Sequence, residues 1–435
     1  MRLRGDVHGL IWVMILYRLF ILPVLALLLL KNLPKMWRRG GYWQDIGHRF
    51  GFLPCVIKKK PRLWIQAVSV GEVNAIKPLV EQLHHDFEIV LTTTTTTARK
   101  IIREQLEPYL LWHGYFPWDF WLFSVLAWRH VQPDAIILVE SELWPEHLYQ
   151  ARQHKVPAIL VNARLSDRSF QRYQKVPWIA KKLFHQVFSI VASSEEGRQR
   201  IAMFFGKNIA MFGNLKFDRA VSPMEPAEKE ALKQELGFPR NTRILLGCST
   251  WPGEESMLLE VFQQLKDQNY RLLLVPRHAE RREDVLREII QANCSYHQRS
   301  FGVFKGDAQG IDVCLADTTG ELIRLTQIAD LAFVGKSLEP NAGGQSPLDA
   351  AHSGVALVYG NHMENFRELC RQIEAAHGAI RVSSHAEAIR VLVELAQDDE
   401  ARKSLANNLK IWANQNRGAS EKTAQYIINL IKTHK

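Results

Sequence analysis

The sequence has few of the groups that mark several large functional classes. Cysteine occurs five times in 435 residues, at Cys55, Cys248, Cys294, Cys314 and Cys370. An odd, scattered set without C-x-x-C spacing builds neither a disulfide framework nor a zinc site, and it points to a reducing compartment. The sixteen histidines form no H-E-x-x-H or other paired spacing, so no metal site is expected. A Walker P-loop and a G-x-G-x-x-G turn are both missing, which argues against an ATPase or a dinucleotide enzyme. Beyond residue 60 the chain also has almost no net charge. Of the overall +10, residues 1–60 carry +9, from eleven Lys and Arg against Asp6 and Asp45. So localised an excess does not suggest a nucleic-acid partner.

The same basic segment contains the one long apolar run. Residues 10–30 are interrupted only by Tyr17, Arg18 and Pro23, and as a helix 21 residues span about 30 Å, enough to cross a bilayer. Fifteen Leu, Ile, Val or Phe at about −0.3 to −0.6 kcal/mol each outweigh one central Arg at about +2.5 to +3.5 kcal/mol. No small-x-small cleavage site follows Leu30, and Lys31, Lys35, Arg38 and Arg39 come next. The expectation is an uncleaved, single-pass anchor over 1–35 with the body of the chain on the cytoplasmic side of the membrane.

After the anchor the chain alternates short apolar runs with helical stretches. The length suggests two large domains. Strands are expected at 63–68, 87–91, 134–140, 156–161 and 187–192, giving an α/β domain with a parallel sheet over 36–212. The first strand runs into Ser69-Val-Gly71-Glu72 and then a helix with Ala75, Leu79 and Leu83 on one face. Glu72 in that first turn suits the helix dipole. It also lies where open α/β sheets bind ligands, so a helix-stabilising role and a catalytic one are both open. The threonines at 92–97 either cap a helix or line a pocket. The aromatic run from Trp112 to Phe123 suits core or membrane interface. The strand at 134–140 sets Glu140 at the same sheet edge as Glu72. Residues 150–185 carry eight Lys and Arg against Asp167 alone, a solvated face that near a membrane also suits anionic lipid or a phosphorylated substrate.

A Pro-rich polar stretch over 213–225 reads as the linker. Beyond it, strands are expected at 244–247, 270–275, 311–315, 331–334 and 355–359 in a second domain over 226–410, with a helix over 411–435 packing back on the first. Each strand of the second domain ends in small or polar residues before a helix, a ring of amide donors suited to phosphate.

Several motifs stand in a fixed order: Ser69-Val-Gly-Glu, Glu140-Ser-Glu-Leu-Trp-Pro, Asn162-Ala-Arg-Leu-Ser, Gly213-Asn-Leu-Lys-Phe-Asp, Ser249-Thr-x-x-Gly-Glu-Glu, Val275-Pro-Arg-His and Asp317-Thr-x-Gly-Glu-Leu. In these the chain resembles the Kdo transferases, membrane-anchored enzymes that move 3-deoxy-D-manno-oct-2-ulosonic acid (Kdo) from CMP-Kdo onto a phosphorylated lipid A precursor. The resemblance runs from the anchor to about residue 370. It implies a GT-B fold of two Rossmann-like domains with the active site in the crevice between them, and an inverting transfer at the cytoplasmic face of the inner membrane. Carried over by motif, Glu72 is the base, supported by Ser69 and Gly71, with Glu140 and Lys216 on the acceptor side. The CMP moiety falls to Ser249, Thr250, Arg277, Thr318, Gly320, Glu321, Gly343, Gly344, Ser346 and Asp349. No Asp-x-Asp occurs, so such a site would work without a bound metal, and no cofactor is expected. The family's Gly-Gly-His-Asn-x-Leu-Glu-Pro stretch reads Gly343-Gly-Gln345-Ser346-Pro-Leu-Asp349-Ala here. Two further readings stay open: a related enzyme with another sugar-nucleotide donor, and a catalytically silent lipid-binding scaffold.

Overall fold

The computed structural model describes residues 13–21, 23, 43–218, 222–307 and 309–434. The chain divides into two compact units, Met1–Ala220 with Asn416–Lys435, and Val221–Gln415.

In the first unit seven strands form one sheet: β1 (Arg62–Gln66), β2 (Glu88–Thr93), β3 (Trp112–Tyr115), β4 (Ala135–Val139), β5 (Ala158–Ala163), β6 (Ser189–Ala192) and β7 (Ala210–Met211). Their order is β3-β2-β1-β4-β5-β6-β7, and every pairing is parallel. The strands are apolar on both faces because helices cover both faces. Leu63 and Ile65 enter one core with Ile89, Leu91, Ile137 and Val139, while Trp64 enters the opposite core with Val90, Ile136 and Leu138. Alternate residues of one strand thus feed two cores.

The second unit repeats the plan with β8 (Arg243–Thr250), β9 (Tyr270–Pro276), β10 (Tyr296–Gln298), β11 (Val313–Leu315), β12 (Leu331–Val334), β13 (Ala356–Gly360) and β14 (Ala379–Val382). The order is β10-β11-β9-β8-β12-β13-β14, again with parallel pairings. In both sheets the direction of winding reverses next to the first strand, between β1 and β4 and between β8 and β12. In sheets wound this way the carboxyl-end loops diverge at the reversal, which is where such folds bind ligands.

Four strands lie outside the sequence expectation. β3 falls in the aromatic run, where His113 and Gly114 break the apolar pattern, and β7, β10 and β14 are short edge strands. Of the linker expected over 213–225, Leu215–Asp218 is instead a 3-10 turn of the first unit with Leu215 buried in its core. The return to the first unit comes at Asn416 rather than 411, in the break between the helices Asp399–Gln415 and Ala419–His434. Ala424, Ile427 and Ile431 of the last helix join the core beneath the helix Val70–Leu83. Asp218 fixes its start, accepting from Gly418 N at 2.7 Å and from Ser420 N.

Most of the expected anchor lies outside the described residues, and among the described residues no helix is long and apolar enough to cross a membrane. Residues 13–21 are helical. The polar interruptions of the apolar run are held by the first unit: Tyr17 donates to Asp119 Oδ2 at 2.6 Å, and Arg18 grips Glu146 through Nε at 2.8 Å and a second nitrogen at 2.9 Å. Arg18 is therefore not an uncompensated cation in the apolar run, because a fully buried carboxylate pairs with it. Leu16, Leu19 and Phe20 remain exposed, at 51%, 64% and 66%.

Candidate active site

At the first switch point β1 runs through Ala67 and Val68 into the helix Val70–Leu83. Ser69 caps that helix, accepting from Glu72 N at 3.3 Å. The Glu72 carboxylate turns back onto the same loop, taking Val68 N at 2.7 Å and Ser69 Oγ at 3.1 Å. So Glu72 does stabilise the helix start, as its position alone suggests. It is also only 8% exposed, and that burial raises its carboxyl above the ordinary range; the Glu140 charge adds to this, while the Val68 and Ser69 bonds and the Lys216 charge oppose it. A buried carboxylate of raised basicity is the state a general base needs. Gly71 lies in the same turn, with no atom nearer to an added Cβ than Ser69 Oγ at 3.8 Å.

Neighbouring loops converge on Glu72. Glu140, directly after β4, has a left-handed backbone with φ 60°, and Asn162 in β5 has φ 52°. Strained non-glycine residues of this kind gather at functional sites. Glu140 pairs with Lys216 Nζ at 2.6 Å and with Arg164, whose Nε lies at 2.7 Å. Burial acts to raise the Glu140 carboxyl, but the two cations outweigh it and hold it below the ordinary range. Asn162 accepts from Leu215 N at 3.0 Å and so places the turn that carries Lys216. No such cation pairs with Glu142 among the described residues: burial, with the charges of Glu72 and Glu140, pushes its carboxyl up to about 7. The site thus holds one carboxylate kept ionised and two raised ones. Arg164 and Glu142 were not foreseen from the sequence, although both stand inside motifs already singled out.

The threonine run is structural at this edge. Thr93, Thr94 and Thr95 Oγ1 donate to Val68 O at 3.1, 3.3 and 3.4 Å, and Thr95 caps the helix Thr96–Gln105. The aromatic run divides: Tyr115 and Phe116 are buried, whereas Trp121 and Leu122 are 44% and 50% exposed.

In the second unit β8 carries a register shift at Ser249, whose φ is 56°, which re-aims the Ser249-Thr250 pair at the switch point. Arg277, just after β9, donates its backbone N to Thr250 O at 3.1 Å, and its exposed side chain meets no carboxylate among the described residues. Beyond Gly253, Glu254 is fully buried and accepts from Trp251 N, Lys336 N and Ser337 N at 2.9, 2.9 and 3.0 Å. Burial pushes its carboxyl to about 7 against those three donors. Glu254 therefore ties the loop after β8 to the loop after β12.

Gly343 and Gly344 have φ of 104° and 71°, and a Cβ on Gly344 would lie 2.4 Å from Met363 Sδ, so glycine is required there. Ser346 Oγ accepts from Leu348 N at 3.3 Å, opening the short helix Leu348–Ser353 that carries Asp349. Asp349 lies close to the end of β8: burial pushes the Cys248 thiol up, and the Asp349 charge adds to it. Thr318, Gly320 and Glu321 sit one strand further out, after β11. Glu321 takes a bond from Thr318 Oγ1 and pairs with Arg299 at 3.2 Å. Burial acts to raise its carboxyl, and those partners hold it below the ordinary range.

Two parallel α/β units with polar loops gathered at both switch points define a protein of the GT-B architecture. The fold is similar to a glycosyltransferase from Rickettsia africae ESF-5 (TM-score 0.58, 13% identity, 87% of this chain and 99% of that one). It is equally similar to the UDP-GlcNAc 2-epimerase of Neisseria meningitidis (TM-score 0.59, 12% identity, 85% of this chain and 100% of that one). At those identities the likeness is one of fold alone. Residues 44–219 match the family model described as 3-Deoxy-D-manno-octulosonic-acid transferase (kdotransferase). The chain is 31% identical over 403 residues to the 3-deoxy-D-manno-octulosonic acid transferase of Haemophilus influenzae, covering 90% of this chain and 92% of that protein. It is 28% identical over 407 residues to the corresponding transferase of Bordetella pertussis, covering 89% and 93%. The chain belongs to the 3-deoxy-D-manno-octulosonic acid transferase family and is a glycosyltransferase.

Proposed function

We propose that the protein transfers Kdo from CMP-Kdo to a hydroxyl of a phosphorylated lipid A precursor of the lipid IVA type, at the cytoplasmic face of the inner membrane. The observation that carries this reading is the environment of Glu72, a carboxylate buried at the switch point of the first unit beside the ion-paired Glu140 and Lys216. In the proposed step the acceptor oxygen attacks the anomeric carbon of Kdo, and its proton passes to the Glu72 carboxylate. The bond from that carbon to the phosphate oxygen breaks, and CMP leaves with the electron pair. The departing charge falls to Arg277 and to amide donors of the second unit. A single displacement with one base and no covalent intermediate inverts the anomeric configuration.

A membrane-borne acceptor agrees with the exposed apolar side chains of Leu16, Leu19, Phe20, Trp121 and Leu122. It agrees also with the basic helices Asp167–Lys175 and Pro177–Phe184, where Lys182 lies over the exposed ring of Trp178 at 5.7 Å. These groups suit a surface of anionic lipid.

One feature favours a second reading, a related donor: Gln345, Ser346 and Asp349 stand where the family stretch has His, Asn and Glu. Competition binding separates the two. CMP is expected to bind the full-length protein at least about 10-fold more tightly than UMP, the equivalent of about 1.4 kcal/mol. Equal or reversed affinities would remove CMP-Kdo as donor and leave the second reading.

A further inference from the structure

The second switch point holds a lysine that the family motifs do not assign. Gly335-Lys336-Ser337 follows β12, the strand paired with β8. Lys336 has φ 60° and is fixed on both sides: its N–H donates to Glu254 Oε2 at 2.9 Å, and its carbonyl accepts from Gly344 N at 2.9 Å. Gly335 N donates to Cys248 O at 2.9 Å, and a Cβ on Gly335 would lie 2.5 Å from Ser249 O. This loop therefore rests directly on the Ser249-Thr250 bulge. A lysine in the left-handed region costs free energy that glycine would avoid, and surrounding structure must enforce it.

The side chain is held as well. Lys336 Nζ stands 4.6 Å from the centroid of the Trp251 ring and 3.7 Å from the point a Cβ on Gly343 would occupy. It meets no carboxylate among the described residues. The ammonium thus lies between the loop after β8 and the Gly343-Gly344 loop, beside an aromatic face and without a counter-ion among the described residues. Thr250 Oγ1 at the end of β8 and Trp251 Nε1 just after it are buried and have no hydrogen-bond partner among the described residues. Unmatched donors and an unmatched cation at one switch point call for an anion with several acceptor oxygens.

We propose that Lys336 binds the phosphate of the donor nucleotide, an inference that rests on the CMP-Kdo reading above. A compact ammonium on a flexible stem acts on phosphate as a point charge. Placed at the strand beside Ser249 and Thr250, Lys336 meets the phosphate from the side opposite β9, after which Arg277 follows.

The test is calorimetric binding of CMP and of cytidine to the full-length protein and to Lys336→Met, Lys336→Gln and Lys336→Arg, with urea midpoints recorded for each. The wild-type protein is expected to prefer CMP over cytidine by about 10-fold or more. Lys336→Met and Lys336→Gln should lose most of that preference through weaker CMP binding, with cytidine affinity unchanged, and Lys336→Arg should recover most of it. A lysine that only packs on Trp251 would move the urea midpoint and leave the ratio alone, and an unchanged ratio in both neutral variants overturns the inference. If those variants bind CMP normally but bind intact CMP-Kdo weakly, the lysine meets the sugar carboxylate and the phosphate assignment is wrong. If the wild-type protein itself binds no CMP, the donor reading fails and this inference fails with it; wild-type binding with unaltered neutral variants removes this inference alone.

Discussion

Glu72→Gln is expected to lower the rate of transfer by about 10²–10⁴-fold while leaving donor affinity close to that of the parent. Glutamine keeps the shape of the carboxylate and can still accept from Val68 N, so the helix start survives, but it takes no proton from the acceptor hydroxyl. The pH profile supplies a second check. Glu72 must be ionised to act, and its carboxyl is raised above the ordinary range by burial. Activity is therefore full above that raised value and falls as pH drops through it, so the acid limb of kcat/KM should lie above the usual carboxylate range. In Glu72→Gln that limb should disappear from the residual rate. A variant turning over at the parental rate would leave Glu72 as a helix cap and nothing more.

Lys216→Met carries the second large effect, because Lys216 serves two carboxylates. It pairs directly with Glu140 at 2.6 Å, and its charge lowers the pKa of Glu72. Removing one partner of a buried pair costs about 3–5 kcal/mol, and the low end applies because Arg164 remains on Glu140. Without the ammonium both carboxylates are harder to ionise. The acid limb of the rate profile should shift upward, with a lower kcat at neutral pH. Lys216→Arg should restore most of the stability and part of the shift. If Lys216→Met unfolds at the parental urea midpoint with an unmoved pH profile, the coupling of Lys216 to Glu72 is absent.

The sequence made the second-order features of the site harder to see than its centre. Glu72 was visible because an apolar run, a small-residue turn and a helical face stand in immediate succession. Central strands were legible for the same reason: β1, β4, β8 and β12 are buried on both faces and each is built around an apolar run. The edge strands β7, β10 and β14 bury little and left no pattern. Lys336 and Arg164 were obscure for a different reason. A lysine after a strand or an arginine in a basic run reads as a solvated charge, and only tertiary packing shows one held over Trp251 and the other on Glu140. Arg18 reverses the case, since its cost in an apolar run was evident and its buried partner Glu146, 128 positions away, was not.

The central claim is transfer of Kdo from CMP-Kdo to a phosphorylated lipid A precursor. Its most direct test incubates the full-length protein in lipid vesicles with CMP-Kdo and a lipid IVA-type acceptor, and reads the lipid by mass spectrometry. The account predicts acceptor carrying one or more added Kdo units, CMP released in equal amount, and almost no product from Glu72→Gln. Unchanged acceptor with the wild-type protein, or equal product from Glu72→Gln, would contradict it.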